Sequence, residues 1–339
     1  MRRTLSRSLI ALAAVLAAPA VLAPVPARAA DAAAQAAAPA VKLSQQADKI
    51  VVEVGGKPFT EYLFAVDPAN TKGPVAAKPW ARPFFYPVLA ADGTNVVSDQ
   101  VMTNAKEHPH HRGIWVAQGD VNGVDHWAHA KAGPQPQQRH VKFDKVEGDT
   151  IVEQLTWDGK DGKPQLAETR TWRFVAYPDG SRGIDQTSVF TAVAGPVTFG
   201  ETKEAGIAAV RVAKPISDTS VITMAGGVVS QSVKTEKTVW GKKADWCDLS
   251  GKIEGKDYGA AIFDHPSNPR HPGNWHVRHY GLMGANIFGL SEFDKANPKG
   301  SGAFTIEPGK PVTFKYQIVI HPGDATAAKL AEKYAAWSK

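Results

Sequence analysis

Residues 139–193, RHVKFDKVEGDTIVEQLTWDGKDGKPQLAETRTWRFVAYPDGSRGIDQTSVFTAV, limit the fold more than any other part of this chain. Runs such as EQLTWD and ETRTWRFVA alternate polar and apolar residues, and turns marked by Gly, Asp or Pro (VEGD, DGKDGKP, YPDGSRG) separate them. Period-two alternation puts one face of a strand in water and the other in a core. Turns this closely spaced join neighbours into an antiparallel meander. Helical spacing appears only at the C-terminal end, where Leu330, Tyr334 and Trp337 of ATAAKLAEKYAAWSK, 325–339, make one apolar stripe. There is no strand–helix alternation and no Gly-rich phosphate loop opening a helix. The pattern predicts an all-β chain, a large antiparallel β-sandwich of two curved sheets with a short C-terminal helix.

Other segments fit that frame. KIVVEVGGKPFTEYLFAV, 49–66, reads as a hairpin around Gly55-Gly56, and 196–213 as a further pair of strands. AFTIEPGKPVTFKYQIVIHPGD, 303–324, reads as a hairpin around Pro308-Gly309. The first thirty residues combine Arg2, Arg3 and Arg7, an apolar run from Leu9 to Leu22, and the A-x-A site Ala27-Arg28-Ala29, which is the pattern of a secretory signal peptide. Residues 31–47 are rich in Ala and Gln and read as a flexible leader, and 48–339 as a single sandwich domain.

Charge and cysteine content narrow the function classes. The formal charge is +6, but removing Arg2, Arg3, Arg7 and Arg28 from the 39 basic residues leaves 35 against 33 acidic ones. A near-neutral mature chain gives no footprint for nucleic acid. After the leader no run reaches the roughly 18 apolar residues a spanning helix needs, so the mature chain is expected to have no integral membrane span and to reside in the periplasm or outside the cell. Cys247 is the only cysteine, which excludes an internal disulfide and thiolate-rich metal sites.

Two clusters carry the chemistry. EHPHHRGIWVAQGDVNGVDHWAHA, 107–130, holds five of the eleven histidines, and FDHPSNPRHPGNWHVRHYG, 263–281, holds four. A third stretch, GETKEAG, 200–206, sets Glu201, Lys203 and Glu204 in an otherwise Val- and Ala-rich region. Imidazole exchanges protons near neutrality. Guanidinium holds carboxylates or vicinal oxygens with a fixed fork of donors. A partly buried carboxylate can serve as base, and an indole face suits a sugar ring. His, Arg, carboxylate and Trp together are a palette suited to carbohydrate. His110 or His111 is the expected acid and Glu204 the expected base. His108, Arg112, Trp127, Lys203, Asp264, His265, Arg270, Trp275, His276 and Arg278 are the expected substrate contacts. No resident metal or other cofactor is expected, the alternative being Zn or Cu held by His108, His110 and His111.

The stretches HPHHRGIWVAQGDVNGVDHW, ETKEAGIAAVRVA, YGAAIFDHPSNPRHPGNWHVRHYGLMGANIFG and FKYQIVIHPGDA resemble a bacterial secreted family labelled "methane oxygenase PmoA"-like, a domain of unknown function. The resemblance implies a β-supersandwich related to aldose (galactose) mutarotases, in which His acts as acid and a carboxylate as base around a sugar ring. The family label implies an oxygenase, against which stands the lack of membrane helices. A carbohydrate epimerase, lyase or hydrolase acting on a saccharide substrate is the leading expectation. The alternatives are a non-catalytic glycan-binding module and a His-ligated Cu or Zn enzyme.

Overall fold

Nineteen strands follow one another among the residues that the computed structural model describes, which are 39–65, 80–101, 107–128, 130 and 134–339. They are β1 (Val41–Gln45), β2 (Lys49–Val54), β3 (Lys57–Leu63), β4 (Phe84–Val88), β5 (Ile114–Gln118), β6 (Gln138–Glu147), β7 (Thr150–Asp158), β8 (Pro164–Ala176), β9 (Arg182–Ala192), β10 (Val197–Phe199), β11 (Ala205–Arg211), β12 (Val221–Met224), β13 (Val228–Ser230), β14 (Trp246–Ile253), β15 (Lys256–Asp264), β16 (Asn274–Arg278), β17 (Leu282–Asn286), β18 (Phe304–Ile306) and β19 (Val312–Pro322). Three short α-helices accompany them, α1 (Lys214–Asp218), α2 (Leu290–Phe293) and, after the last strand, α3 (Leu330–Trp337), with a 3-10 helix at Val233–Thr238.

Two large antiparallel sheets result. One runs β1-β2-β3-β4-β5-β11-β17-β16, the other β13-β12-β14-β15-β19-β9-β8-β7-β6. The 139–193 meander supplies β6 to β9 of the second sheet, and β7 and β9 bury alternate residues as their sequence alternation requires. The sheets close over one core. Tyr62 and Phe85 of the first sheet meet Trp172 of the second with ring centroids 5.9 and 4.9 Å apart, and Trp157 is fully buried in the same layer. The chain is the all-β antiparallel sandwich with a short C-terminal helix that its pattern predicts.

A polar cluster is sealed between the sheets. Arg170 makes a two-pronged pair with Glu168 (2.7 and 2.6 Å), Trp157 donates to the same carboxylate, and Tyr62 and His140 both bond Glu153. Glu153, Glu168 and Arg170 have no exposed surface.

Three sequence expectations need correction. Residues 41–45, placed in the flexible leader, form β1, antiparallel to β2 from Val41↔Val54 to Gln45↔Ile50. Val41 and Leu43 pack against the core and β2 offers an otherwise open edge, a long-range gain that a five-residue run does not announce. The 303–324 hairpin does not form, because β18 pairs with β10 while β19 lies between β15 and β9. For the same reason the two strands of 196–213 belong to different sheets. Residues 1–30 and 31–38, the expected signal peptide and the start of the leader, lie outside the described residues. Among the described residues no helix is long and apolar enough to cross a membrane.

Candidate functional site

HPHHRG is a turn that feeds β5. His108 and Gly113 both have positive φ, 50° and 57°, and the His111 amide bonds the His108 carbonyl at 2.9 Å. Gly113 is obligatory here, since a Cβ would fall on the Phe85 carbonyl oxygen. The turn aims its side chains at a column of rings. Trp115 stacks on His111 (5.3 Å), His111 on His108 (4.9 Å), and His108 on Tyr280 (4.9 Å), with planes within 13–23° of parallel. His110 meets His111 edge to face at 4.6 Å. Trp127 lies across the column, 5.7 Å from His111 and 6.5 Å from His276.

Residues from distant segments complete the cluster. Arg211, at the end of β11, donates from Nη1 to His111 Nδ1 at 3.0 Å and lies 4.9 Å from the centre of the Tyr280 ring. Arg278 sits 5.8 Å from both the Tyr280 and Trp240 rings and within 2.8 Å of Glu236, without the alignment of a hydrogen bond. Lys203 and Glu204 pair at 2.9 Å on the exposed rim. The Glu204 carboxylate contributes field at His108, His276 and Tyr280.

The electrostatics set the protonation states. A guanidinium only donates, so the His111 Nδ1 facing Arg211 must carry its lone pair, and neutral His111 holds its proton on Nε2. Burial, then the positive fields of His110 and Arg211, keep His111 far below the ordinary imidazole range. Burial likewise lowers His108, and it takes His276 down to about 4 despite the nearby Glu204 carboxylate. Burial raises the Tyr280 phenol to about 12, so it stays protonated. His111 is therefore a neutral hydrogen-bond donor. It is not the imidazolium acid that its place in the motif suggested.

The structure brings together His108, His110, His111, Trp127, Lys203, Glu204, His276 and Arg278. It leaves the other expected contacts elsewhere. Arg112 turns inward to a buried pair with Asp99 at 2.7 Å. Asp264 is buried and accepts from Asn268 and the Gly273 amide, so it holds its own loop. His265 bonds Ser267 and packs on Trp337. Arg270 caps the carbonyls of Ile287, Gly302 and Ala303. Trp275 is core, its indole donating to the Ala244 carbonyl. Within 263–281 the cause is common: the segment is not one loop, because β16 runs through it and turns Trp275 inward. Trp127, read as a surface platform, is also buried and presents no open face. Glu201 accepts from Ser291 and from the Gly300 and Gly302 amides. Burial opposes its charge, but those donors hold it down to about 2, as a structural anion.

A cavity of about 720 Å³ opens beside the column. Its wall includes Tyr86, Ser98, Gln100, Glu107, Arg211 and Tyr280. Arg211 and Tyr280 thus form a partition, with the cavity on one side and His111 and His108 packed against them. His110, Glu204 and His276 are not in the wall. The size lies within the roughly 300–1,000 Å³ typical of small-molecule sites. Around the partition, buried polar atoms lack partners: His108 Nδ1, His276 Nδ1 and the indole nitrogens of Trp115, Trp127 and Trp240. Such groups are rare in folded proteins, and others lie elsewhere in the fold, at His126, Trp172, Asp248 and Tyr316. Arg211 and Tyr280 were missed from the sequence. The lone cation ending AGIAAVR, whose strand is buried throughout, was the available signal for Arg211.

Among the described residues no three His, Cys, Asp or Glu side chains group as an ion requires. An imidazole-bound ion lies near the ring plane, about 2 Å from the nitrogen. The stacked rings of His108 and His111 offer it no shared position, so the Zn or Cu alternative finds no such ligand set in this turn.

The sequence matches a family model over residues 49–335, described as "Family of unknown function (DUF6807)". The chain belongs to that family. That family description carries no activity, and the match does not show the PmoA-like resemblance. No curated protein matches the sequence. Among solved structures, this DUF6807 chain is similar to the GalM/aldose epimerase homologue from C. elegans, with 9% identity, a TM-score of 0.34, and 85% of this chain and 99% of that one covered. It is also similar to the protein HI1317, with 7% identity, a TM-score of 0.28, and 83% and 99% covered. At these scores the likenesses say nothing about activity, and the epimerase name stays with its own protein.

Proposed function

We propose that this protein is an exported, carbohydrate-active protein that seats a saccharide in the cavity walled by Glu107, Arg211 and Tyr280, and that its reaction is proton transfer on the sugar. The observation that carries the reading is the partition itself. Segments 107–111, 205–211 and 276–280 meet there and set guanidinium, phenol and carboxylate around a sugar-sized space. His110 stands outside the cavity wall and His111 is buried and held neutral, so neither takes the acid role there. Glu107 takes the base role first assigned to Glu204, because the cavity presents Glu107 while Glu204 stands outside its wall, paired with Lys203. The reaction class is epimerisation, elimination or hydrolysis.

One feature favours a second reading. Burial lowers His108, His111 and His276, so the core of the cluster holds neutral imidazoles at neutral pH, as a non-catalytic glycan-binding module would. A panel of oligosaccharides followed by NMR separates the two. The enzyme reading expects binding with turnover, and turnover lost with binding kept in Glu107→Gln. Binding without turnover across the panel gives the second reading, and no binding by any saccharide refutes both. Export rests on the pattern of residues 1–30. A mature N-terminus near Ala30 in the periplasmic or secreted fraction, read by mass spectrometry, tests it.

A further inference from the structure

We infer that the saccharide taken by the site proposed above is a sugar acid, whose single carboxylate is received by Arg211. Arg211 is nine-tenths buried. Of the other buried arginines, Arg82 and Arg182 donate to backbone carbonyls. Arg112 is neutralised by Asp99 at 2.7 Å, and Arg170 by Glu168 at 2.6 Å. Arg211 has no ion-pair partner among the described residues. Its contacts are the neutral His111 nitrogen and the face of Tyr280. Burying a guanidinium without a counter-anion is costly, and a cation left in this state beside a cavity is stabilised by a ligand that brings the anion.

The chemistry of the wall narrows that anion. The Nη1 bond to His111 fixes the guanidinium plane, and its remaining donors are available as a fork, the geometry that matches a carboxylate. Lys214 is already held by both oxygens of Asp218 at 2.6 and 2.7 Å, so among the described residues the wall offers one unneutralised cation, Arg211. Glu107 stands in the same wall and its field reaches Arg211. One free guanidinium facing a carboxylate suits a monoanion and disfavours a dianionic phosphate. Ser98, Gln100, Asn95 and Tyr86 supply uncharged polar groups for the ring hydroxyls. The ligand class is therefore a uronic acid residue, free or within a chain.

The test is calorimetric titration of the wild-type protein with matched methyl glycosides: those of glucuronate and galacturonate, those of glucose and galactose, and the 6-phosphates of the latter two. A charge-assisted fork predicts uronates tighter than their neutral partners by on the order of tenfold or more. Arg211→Met is expected to erase that preference and Arg211→Lys to keep part of it, with urea unfolding of each variant reporting its fold. The wild-type comparison stands even where a variant fails to fold. Equal affinity for uronates and neutral sugars overturns the carboxylate while leaving the saccharide site intact. Tighter binding of the phosphates also overturns it. If none of the glycosides binds, the inference falls, and the oligosaccharide panel decides separately whether the saccharide site falls with it.

Discussion

His126 offers a quantitative test of how this fold treats its histidines. His126 is 2% exposed, lies tilted against Trp157 at 5.1 Å, and donates from Nε2 to the Asp158 carbonyl at 3.0 Å. Burial lowers it from 6.5 to about 4, only partly offset by that hydrogen bond. The folded state thus binds the proton more weakly than the unfolded chain does. Stability from keeping this ring neutral is fully present above pH 6.5 and is lost as pH falls towards 4. At about 1.4 kcal/mol per pH unit the full loss approaches about 3 kcal/mol, of which about 2 kcal/mol falls between pH 7 and pH 5. His126→Gln keeps a donor that can reach Asp158 but cannot titrate. Urea unfolding followed by Trp fluorescence at the two pH values gives the comparison. The variant should be less stable at pH 7 through lost packing, yet should lose about 2 kcal/mol less than wild type on acidification. Equal acid losses in the two proteins would refute the claim that His126 is held neutral by burial.

Gly113→Ala should destabilise the fold by about 3 kcal/mol or more, through a left-handed φ and a clash with the Phe85 carbonyl; a thermal shift near zero contradicts the turn geometry. Arg170→Met strands Glu168 and should cost about 3–5 kcal/mol, whereas Arg170→Met with Glu168→Leu should recover much of that loss in urea titrations. Glu204→Gln removes a half-exposed carboxylate whose partner is Lys203, and should change stability by less than about 1 kcal/mol; a larger loss in thermal melts would show that Glu204 anchors the rim.

The sheets were legible because their signal is local. Along most of β7, β8 and β9 buried positions alternate with wetter ones, so sequence period and burial period coincide. β1 and β18 were harder, because their pairing is fixed by which sheet edge needs a partner, and no property of five or three residues encodes that. The site was half legible for a related reason. The HPHHRG turn and the segment ending in Tyr280 do meet, but composition does not distinguish a His or Arg that faces a cavity from one that ties a loop. Arg270 and Asp264 look as functional as Arg278 and His276 until their hydrogen bonds are seen to end on the protein's own backbone and loop. Arg211 was overlooked because a single cation at a strand end looks like an exit to solvent. Its meaning comes from burial, without an acidic partner, in the wall of the cavity.

The most direct measurement is a side-chain ¹H–¹⁵N spectrum of the histidines in the free protein at neutral pH and during titration with a saccharide it binds. The account predicts His111 neutral with its proton on Nε2, and ligand-dependent shifts centred on His111, which bonds the wall residue Arg211, and on His279, which lines the cavity. A protonated His111, or shifts confined to remote histidines such as His265 and His321, would contradict it.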